Sequence, residues 1–165
     1  DFHYYGDVKF RVNSIRHKVR KFFNVHEDIS LELKKLTTSF KMNKNVKFFS
    51  FSEDLNKIYN CIDILCFPSL LNAPGRPVFE AGFFKVPSIV AITNPLKDTF
   101  TDKVTGLVIK EKDYLDLSEK IIYLSKNKNL IKEFGENAYS LSCKNFSAKI
   151  NGQKFIQAYK KLLKK

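Results

Sequence analysis

The sequence predicts an α/β protein: a doubly wound parallel sheet with helices on both faces and a helical C-terminal tail. Three observations predict it. Between Asn45 and Ile109, short β-rich runs alternate with helix-length segments, the order that gives parallel strands joined by crossover helices. One of those runs, IDILCF (Ile62 to Phe67), is apolar almost throughout, which implies burial on both faces of a sheet. Beyond Ile109, apolar residues recur at intervals of three and four, the helical period.

Each element follows from its own residues. HYYGD (His3 to Asp7) reads as the end of a short strand closed by Gly6. From Lys9 to Phe23, Val12, Ile15, Val19 and Phe22 recur at helical spacing, and Arg11, Arg16, Lys18, Arg20 and Lys21 fill much of the remainder. That pattern suits a core-docked helix with a solvated basic face, or a nucleic-acid-binding helix. Ser30 to about Lys41 reads as a helix, and NVKFFSF (Asn45 to Phe51) as a strand of β-branched and aromatic residues. Ser52 stands at a helix N-cap position, with Glu53 and Asp54 in a first turn that runs on to about Asn60.

Pro68 and Ser69 end the strand Ile62 to Phe67, and the next helix is expected to start at Pro77, where a missing N–H costs nothing, and to end near Lys85. VPSIVAI (Val86 to Ile92) and, after a Thr105-Gly106 turn, LVI (Leu107 to Ile109) supply two more strands. The tail reads as three helices, with apolar stripes at Tyr114, Leu117, Ile121 and Leu124, at Leu130, Phe134, Ala138 and Leu141, and at Phe155, Ala158, Tyr159 and Leu162. The last closes in lysines, as suits a helix C-terminus.

Composition bounds the function. The 165 residues correspond to about one domain, with 44% hydrophobic and 28% charged residues, the balance of a globular chain. No apolar run approaches the roughly 20 residues that span a bilayer, and no apolar signal core stands at the front. Cys61, Cys66 and Cys143 match neither a zinc knuckle nor a redox pair and read as reduced, buried, small apolar residues of a cytoplasmic protein. The three histidines lack ligand-like spacing and no Asp-x-Asp occurs, so no metal is expected. The net charge of +12 favours an anionic partner: nucleic acid, a membrane face or a phosphorylated small molecule.

The stretch LNAPGRPVFEAGFF (Leu71 to Phe84) concentrates the chemistry. In an open parallel sheet, ligands bind beyond the carboxyl ends of the strands, where helices begin. The loop Leu70 to Arg76 lies there. Backbone N–H groups of Gly75 and Arg76 at a helix N-terminus make an anion site, Gly75 permits close approach, and Arg76 can grip a phosphate through two parallel bonds. Glu80 follows one turn later on the same side, where a carboxylate just past a phosphate can accept two ribose hydroxyl protons. The alternative is an Arg76–Glu80 surface pair worth a few tenths of a kcal/mol.

Taken together, CIDILCFPSLLNAPGRPVFEAGFFKVPSIVA, VTGLVI and the helical tail resemble the C-terminal, Rossmann-like domain of GT-B glycosyltransferases, closest to the retaining family 4 of glycosyl transferases group 1. The resemblance runs from about Asn45 to the C-terminus. HYYGD is similar to the second strand of that domain, which implies that residues 1–165 form a single nucleotide-sugar-binding domain lacking its first strand and the N-terminal acceptor domain. The family carries a Glu-x7-Glu motif around a Gly-containing loop. Glu80 matches the second glutamate, which the resemblance implies bonds the ribose hydroxyls. Eight positions earlier stands Asn72, where the family's first glutamate would contact the donor sugar. Asn72 retains a hydrogen-bonding amide but no charge, and Pro74 removes an N–H from the donor-facing loop. Gly75 and Arg76, followed by Pro77, match a Gly-Arg pair found in a subset of these enzymes. The family's diphosphate-clamping Arg and Lys have no identified counterpart.

The resemblance implies transfer of a sugar from a nucleotide sugar, UDP- or GDP-linked, to an acceptor hydroxyl with retention, with no protein-bound metal or other cofactor. Positive charge and helix N-termini would stabilise the leaving diphosphate. The expected partners are the nucleotide sugar, a glycan or lipid-linked acceptor and the missing N-terminal domain, with synthesis of surface polysaccharide or lipopolysaccharide as the setting. A Lys-rich surface would suit peripheral contact with the inner membrane face. No nucleic acid is expected, because no aromatic and glycine pattern of an RNA-binding module accompanies the basic stretch. Donor and acceptor meet between two domains in this fold, so residues 1–165 alone are expected to be inactive. Two alternatives are a non-catalytic relative, suggested by Asn72, and a basic nucleic-acid-binding module.

Overall fold

Two parallel sheets carry the fold of the computed structural model, which describes residues 1–5, 29–69, 75–92 and 96–163. The chain divides into two compact units, Asp1–Ile58 and Tyr59–Lys165. The predicted basic helix Lys9 to Phe23 and the closing Gly6 lie outside the described residues.

In the first unit, β1 (Phe2–Tyr5) pairs in parallel with β2 (Val46–Phe49), His3 opposite Lys47 and Tyr5 opposite Phe49. Helix α1 (Ile29–Ser39) stops short of the expected Lys41. The hydroxyls of Thr37, Thr38 and Ser39 bond back to the carbonyls of Lys34 and Leu36, and Lys41 takes a left-handed φ of 56° that ends the turn.

Helix α2 (Leu55–Tyr59) begins later than expected, and its cap corrects the assignment of Ser52. Asp54 Oδ1 accepts from the backbone N–H of Asn56 (3.0 Å) and Lys57 (3.2 Å), the N-cap pattern. Ser52 Oγ instead accepts from Asp54 N. Ser and Asp two residues apart both suit this role, and only the chain path selects between them.

The second unit holds a three-stranded parallel sheet in the order β3 (Leu65–Phe67), β4 (Ser88–Val90), β5 (Gly106–Val108). Helix α3 (Arg76–Phe83) connects β3 to β4. Along β4 and just past it, Ile89 and Ala91 pack with Leu107, Ile109, Leu124 and Phe134 on one face. Val90 and Ile92 pack with Val78 of α3 and with Phe100 on the other. Period-two alternation thus buries both faces of the central strand under helices. The strand Ile62 to Phe67 is shorter than expected and only half-buried, because β3 pairs on one side alone within this sheet.

Helices α4 (Tyr114–Lys126), α5 (Lys128–Phe146) and α6 (Ala148–Leu163) form the tail. Asp113 caps α4, accepting from Leu115 N and Asp116 N. The α5 stripe is buried as expected at Phe134 and Ala138. Two stripes are corrected. Tyr114 is 77% exposed although Leu124 is fully buried, since the helix meets the sheet only from Leu117 onward. On α6 none of the residues is buried, and Phe155, Tyr159 and Leu162 are all exposed; periodicity identifies an apolar face without supplying something to cover it. All three cysteines are free thiols. Cys66 and Cys143 are partly buried, but Cys61 is exposed, in the turn that follows α2.

Candidate functional site

After β3, Pro68 and Ser69 lead the chain off the carboxyl end of the sheet, and it is next described at Gly75, the N-cap of α3. Gly75 is extended (φ −68°, ψ 165°), and its carbonyl accepts from Val78 N at 3.0 Å. A Cβ here would come within 2.5 Å of the Phe67 ring. The glycine therefore lets the start of α3 pass close against the Phe67 ring, a packing reason for a residue without a side chain. The helix begins at Arg76 rather than Pro77. Pro77 lies in the first turn, where its missing N–H breaks no intrahelical bond.

Glu80 follows one turn later, its side chain only 12% exposed. Its two oxygens have different partners. Arg76 Nε donates to Oε1 from a guanidinium-bearing side chain that is 75% exposed. Tyr59 Oη donates toward Oε2 at 3.2 Å and lies 3.3 Å from the Pro77 carbonyl. Tyr59 is buried (4% exposed), its ring stacked on Phe84 at 5.3 Å. Burial first, then the charge and hydrogen bond of Glu80, hold the Tyr59 phenol well above its ordinary pKa, and Arg76 partly opposes them. The hydrogen bond and charge of Glu80 raise Arg76 in turn.

The Arg76–Glu80 pair expected as an alternative does form, but it is no surface pair, because the carboxylate is largely covered and has a buried second donor. An ionised carboxylate offers about four acceptor positions. Among the described residues, Arg76 and Tyr59 occupy two, so Glu80 retains capacity for neutral hydroxyls. A guanidinium and helix N–H groups stand one turn away. This combination can bind a group that is anionic at one end and bears hydroxyls at the other.

The helix carrying these groups is fixed from behind. A Cβ on Gly82 would come within 2.2 Å of Ser142 Oγ, and one on Gly135 within 2.1 Å of the Lys85 carbonyl oxygen. These absences allow α3 and its C-terminal turn to lie directly against α5. Phe79 stacks on Phe146 at 4.3 Å with 9° between rings. At its end, Lys85 N bonds to Gly82 O and Val86 N to Ala81 O, with Lys85 at φ 59°, a Schellman closure without glycine.

Gly75, Arg76, Pro77 and Glu80 are thus brought together on the first turns of α3, whereas Asn72 and Pro74 lie outside the described residues. Tyr59 is the residue that sequence reasoning missed. A tyrosine closing a short apolar segment signals a buried ring whose hydroxyl needs a partner, but nothing in the spacing names Glu80. Among the described residues, no group of three or more His, Cys, Asp or Glu is placed to hold a metal ion, and no helix is long and apolar enough to cross a membrane.

The capsular polysaccharide biosynthesis glycosyltransferase CapM of Staphylococcus aureus is 26% identical over 122 residues, 74% of this chain and 32% of CapM. The chain therefore spans about a third of that relative. Among solved structures, HepE from Anabaena in complex with UDP superposes with a TM-score of 0.79 at 18% identity, covering 96% of this chain and 40% of HepE. Sucrose-phosphate synthase from Thermosynechococcus elongatus gives 0.73 at 20% identity, covering 84% and 36%. These likenesses show the α/β fold of the GT-B glycosyltransferases. The sequence profile of glycosyl transferases group 1 matches residues 30–141, more than half of the chain, with the whole of α3 and its Arg76 and Glu80 inside the match, and the chain belongs to that family.

Proposed function

We propose that this chain is the donor-binding domain of a glycosyltransferase that moves a sugar from a nucleotide sugar to an acceptor hydroxyl with retention. Glu80 takes the ribose hydroxyls, and Arg76 with the N–H groups at the start of α3 takes the diphosphate. The observation that carries this reading is the largely buried Glu80 carboxylate one turn beyond the Gly75 cap and beside an exposed guanidinium. Negative charge on the leaving diphosphate grows during transfer, and donors fixed in advance at a helix terminus lower the cost of that growth. Asn72 bonds a donor-sugar hydroxyl through its amide. The UDP in the HepE structure supports a nucleotide ligand of this class, and CapM, a capsular polysaccharide enzyme, supports surface polysaccharide as the setting. The acceptor side and an N-terminal domain complete the enzyme, which works at the inner membrane face.

Titration of the isotope-labelled protein with UDP, GDP, ADP and CMP tests the reading through the amides from Asn72 to Glu80. Selective shifts for one nucleotide are expected and name the base. Flat titrations at millimolar ligand sink the proposal.

One sequence feature favours a second reading, a donor-binding relative without transfer activity: the neutral Asn72 at the position of the family's first motif glutamate. Nucleotide binding without sugar transfer by the full-length protein, restored by Asn72→Glu, would select it.

A further inference from the structure

The two oxygens of Glu80 are held unequally. Tyr59, the partner of Oε2, is buried, stacked on Phe84, and has its hydroxyl within reach of both Oε2 and the Pro77 carbonyl. It has no room to turn away. Arg76, the partner of Oε1, is three-quarters exposed on a flexible side chain. One contact is therefore built into the core and the other can be exchanged. A carboxylate on a glutamate side chain has a broad terminal torsion, so a single exposed ion pair would leave its plane poorly defined. A second, buried donor removes that freedom before any ligand arrives.

We infer that Tyr59 is a positioning residue for ribose recognition: its phenol fixes Glu80 through Oε2, so that the carboxylate presents its remaining acceptor positions, with Oε1 as the exchangeable face, to the ribose hydroxyls. Arg76 covers Oε1 in this structure and turns to the phosphates when a nucleotide binds. Tyr59 lies behind Glu80 and acts only through it. The inference rests on the donor-site reading given above.

Calorimetry on whichever of UDP, GDP and ADP binds, and on its 2′,3′-dideoxy analogue, measures the ribose preference as a ratio within one protein. A ratio is insensitive to a partly unfolded fraction, which protects the test if a variant is less stable. The unsubstituted protein is expected to prefer the ribonucleotide by about 10-fold or more, as for hydrogen bonds to a charged acceptor. Tyr59→Phe retains the stacked ring and should reduce that preference about 5-fold, the worth of one hydrogen bond, while affinity for the dideoxy analogue stays the same. In a Glu80→Gln background the same substitution should change nothing further, since the two residues act as one unit. An unchanged preference in Tyr59→Phe overturns the inference, as does an equal loss in the Glu80→Gln background. Failure of the donor-site reading is separately visible, as absent binding or absent ribose preference in the unsubstituted protein.

Discussion

Gly135 of α5 lies directly beneath the carbonyl of Lys85, so closely that a methyl group at that glycine would stand 2.1 Å from the oxygen. The obstructing atom is backbone, in a turn fixed by the bonds from Lys85 N to Gly82 O and Val86 N to Ala81 O. It cannot yield as a flexible side chain would. Gly135→Ala should gain about 1 kcal/mol of helix propensity and lose more than that through overpacking, for a net destabilisation of about 1 to 3 kcal/mol. Urea denaturation would show the midpoint falling with an unchanged slope; a rise in the midpoint would mean that α5 can retreat at little cost.

Replacing Glu80 by Gln retains shape and removes charge. Nucleotide affinity should fall by about 1.5 to 3 kcal/mol, the range for a hydrogen bond to a charged acceptor, with the melting temperature nearly unchanged. Tyr59 can still donate to the Pro77 carbonyl, which limits the structural cost. Calorimetric titration beside a melting curve separates the outcomes, and a large melting drop with unchanged affinity would make Glu80 structural.

The thiols should respond differently to pH and reagent. Burial pushes Cys66 up to about 11 from its ordinary value of 9.0, so the folded state disfavours the thiolate. The unfolded chain loses this proton first as pH rises, and linkage then lowers stability. The contribution of Cys66 is complete below about pH 9 and is lost between about 9 and 11. Cys66→Ala should flatten that part of the stability profile, apart from a pH-independent packing loss. Under native conditions the exposed Cys61 should react with a maleimide well before Cys66.

Asp113 accepts two backbone N–H bonds at the start of α4. Asp113→Ala should cost about 1 kcal/mol of stability, while Asp113→Asn or Asp113→Ser should recover most of it. Equal losses in all three variants by thermal melting would assign the effect to charge rather than capping.

On α6, Phe155, Tyr159 and Leu162 are each about two-thirds exposed. Changing all three to Ser should shift stability by only about 0.5 kcal/mol per site, and should reduce binding of a hydrophobic dye and self-association. A steep loss of stability would show that the helix packs more tightly than its exposure indicates.

Much of the second unit was legible in the sequence because local pattern and global burial agree there. The continuous apolar runs around Ile89 and Leu107 do become strands of a parallel sheet, and the periodicity at Leu117, Ile121 and Leu124 does mark the buried face of α4. Helix starts were harder. Ser52 and Asp54 carry equivalent capping chemistry, and Arg76 and Pro77 are both tolerated in a first turn, so the chain path decides between neighbours. The stripe on α6 misled for another reason: amphipathicity records that a face is apolar, and burial depends on what lies opposite. At the candidate site, Arg76 and Glu80 could be paired from their spacing, being one turn apart. Tyr59 could not, because its contact spans 21 positions and no local period links it to Glu80.

The glycines behind α3 also set when conformational entropy is lost. Because Gly82 and Gly135 let that helix settle against α5 as the chain folds, the order around Gly75, Arg76 and Glu80 is established during folding. A ligand arriving there meets a backbone and a Glu80 carboxylate that have already given up their freedom, and more of its contact energy can appear as affinity.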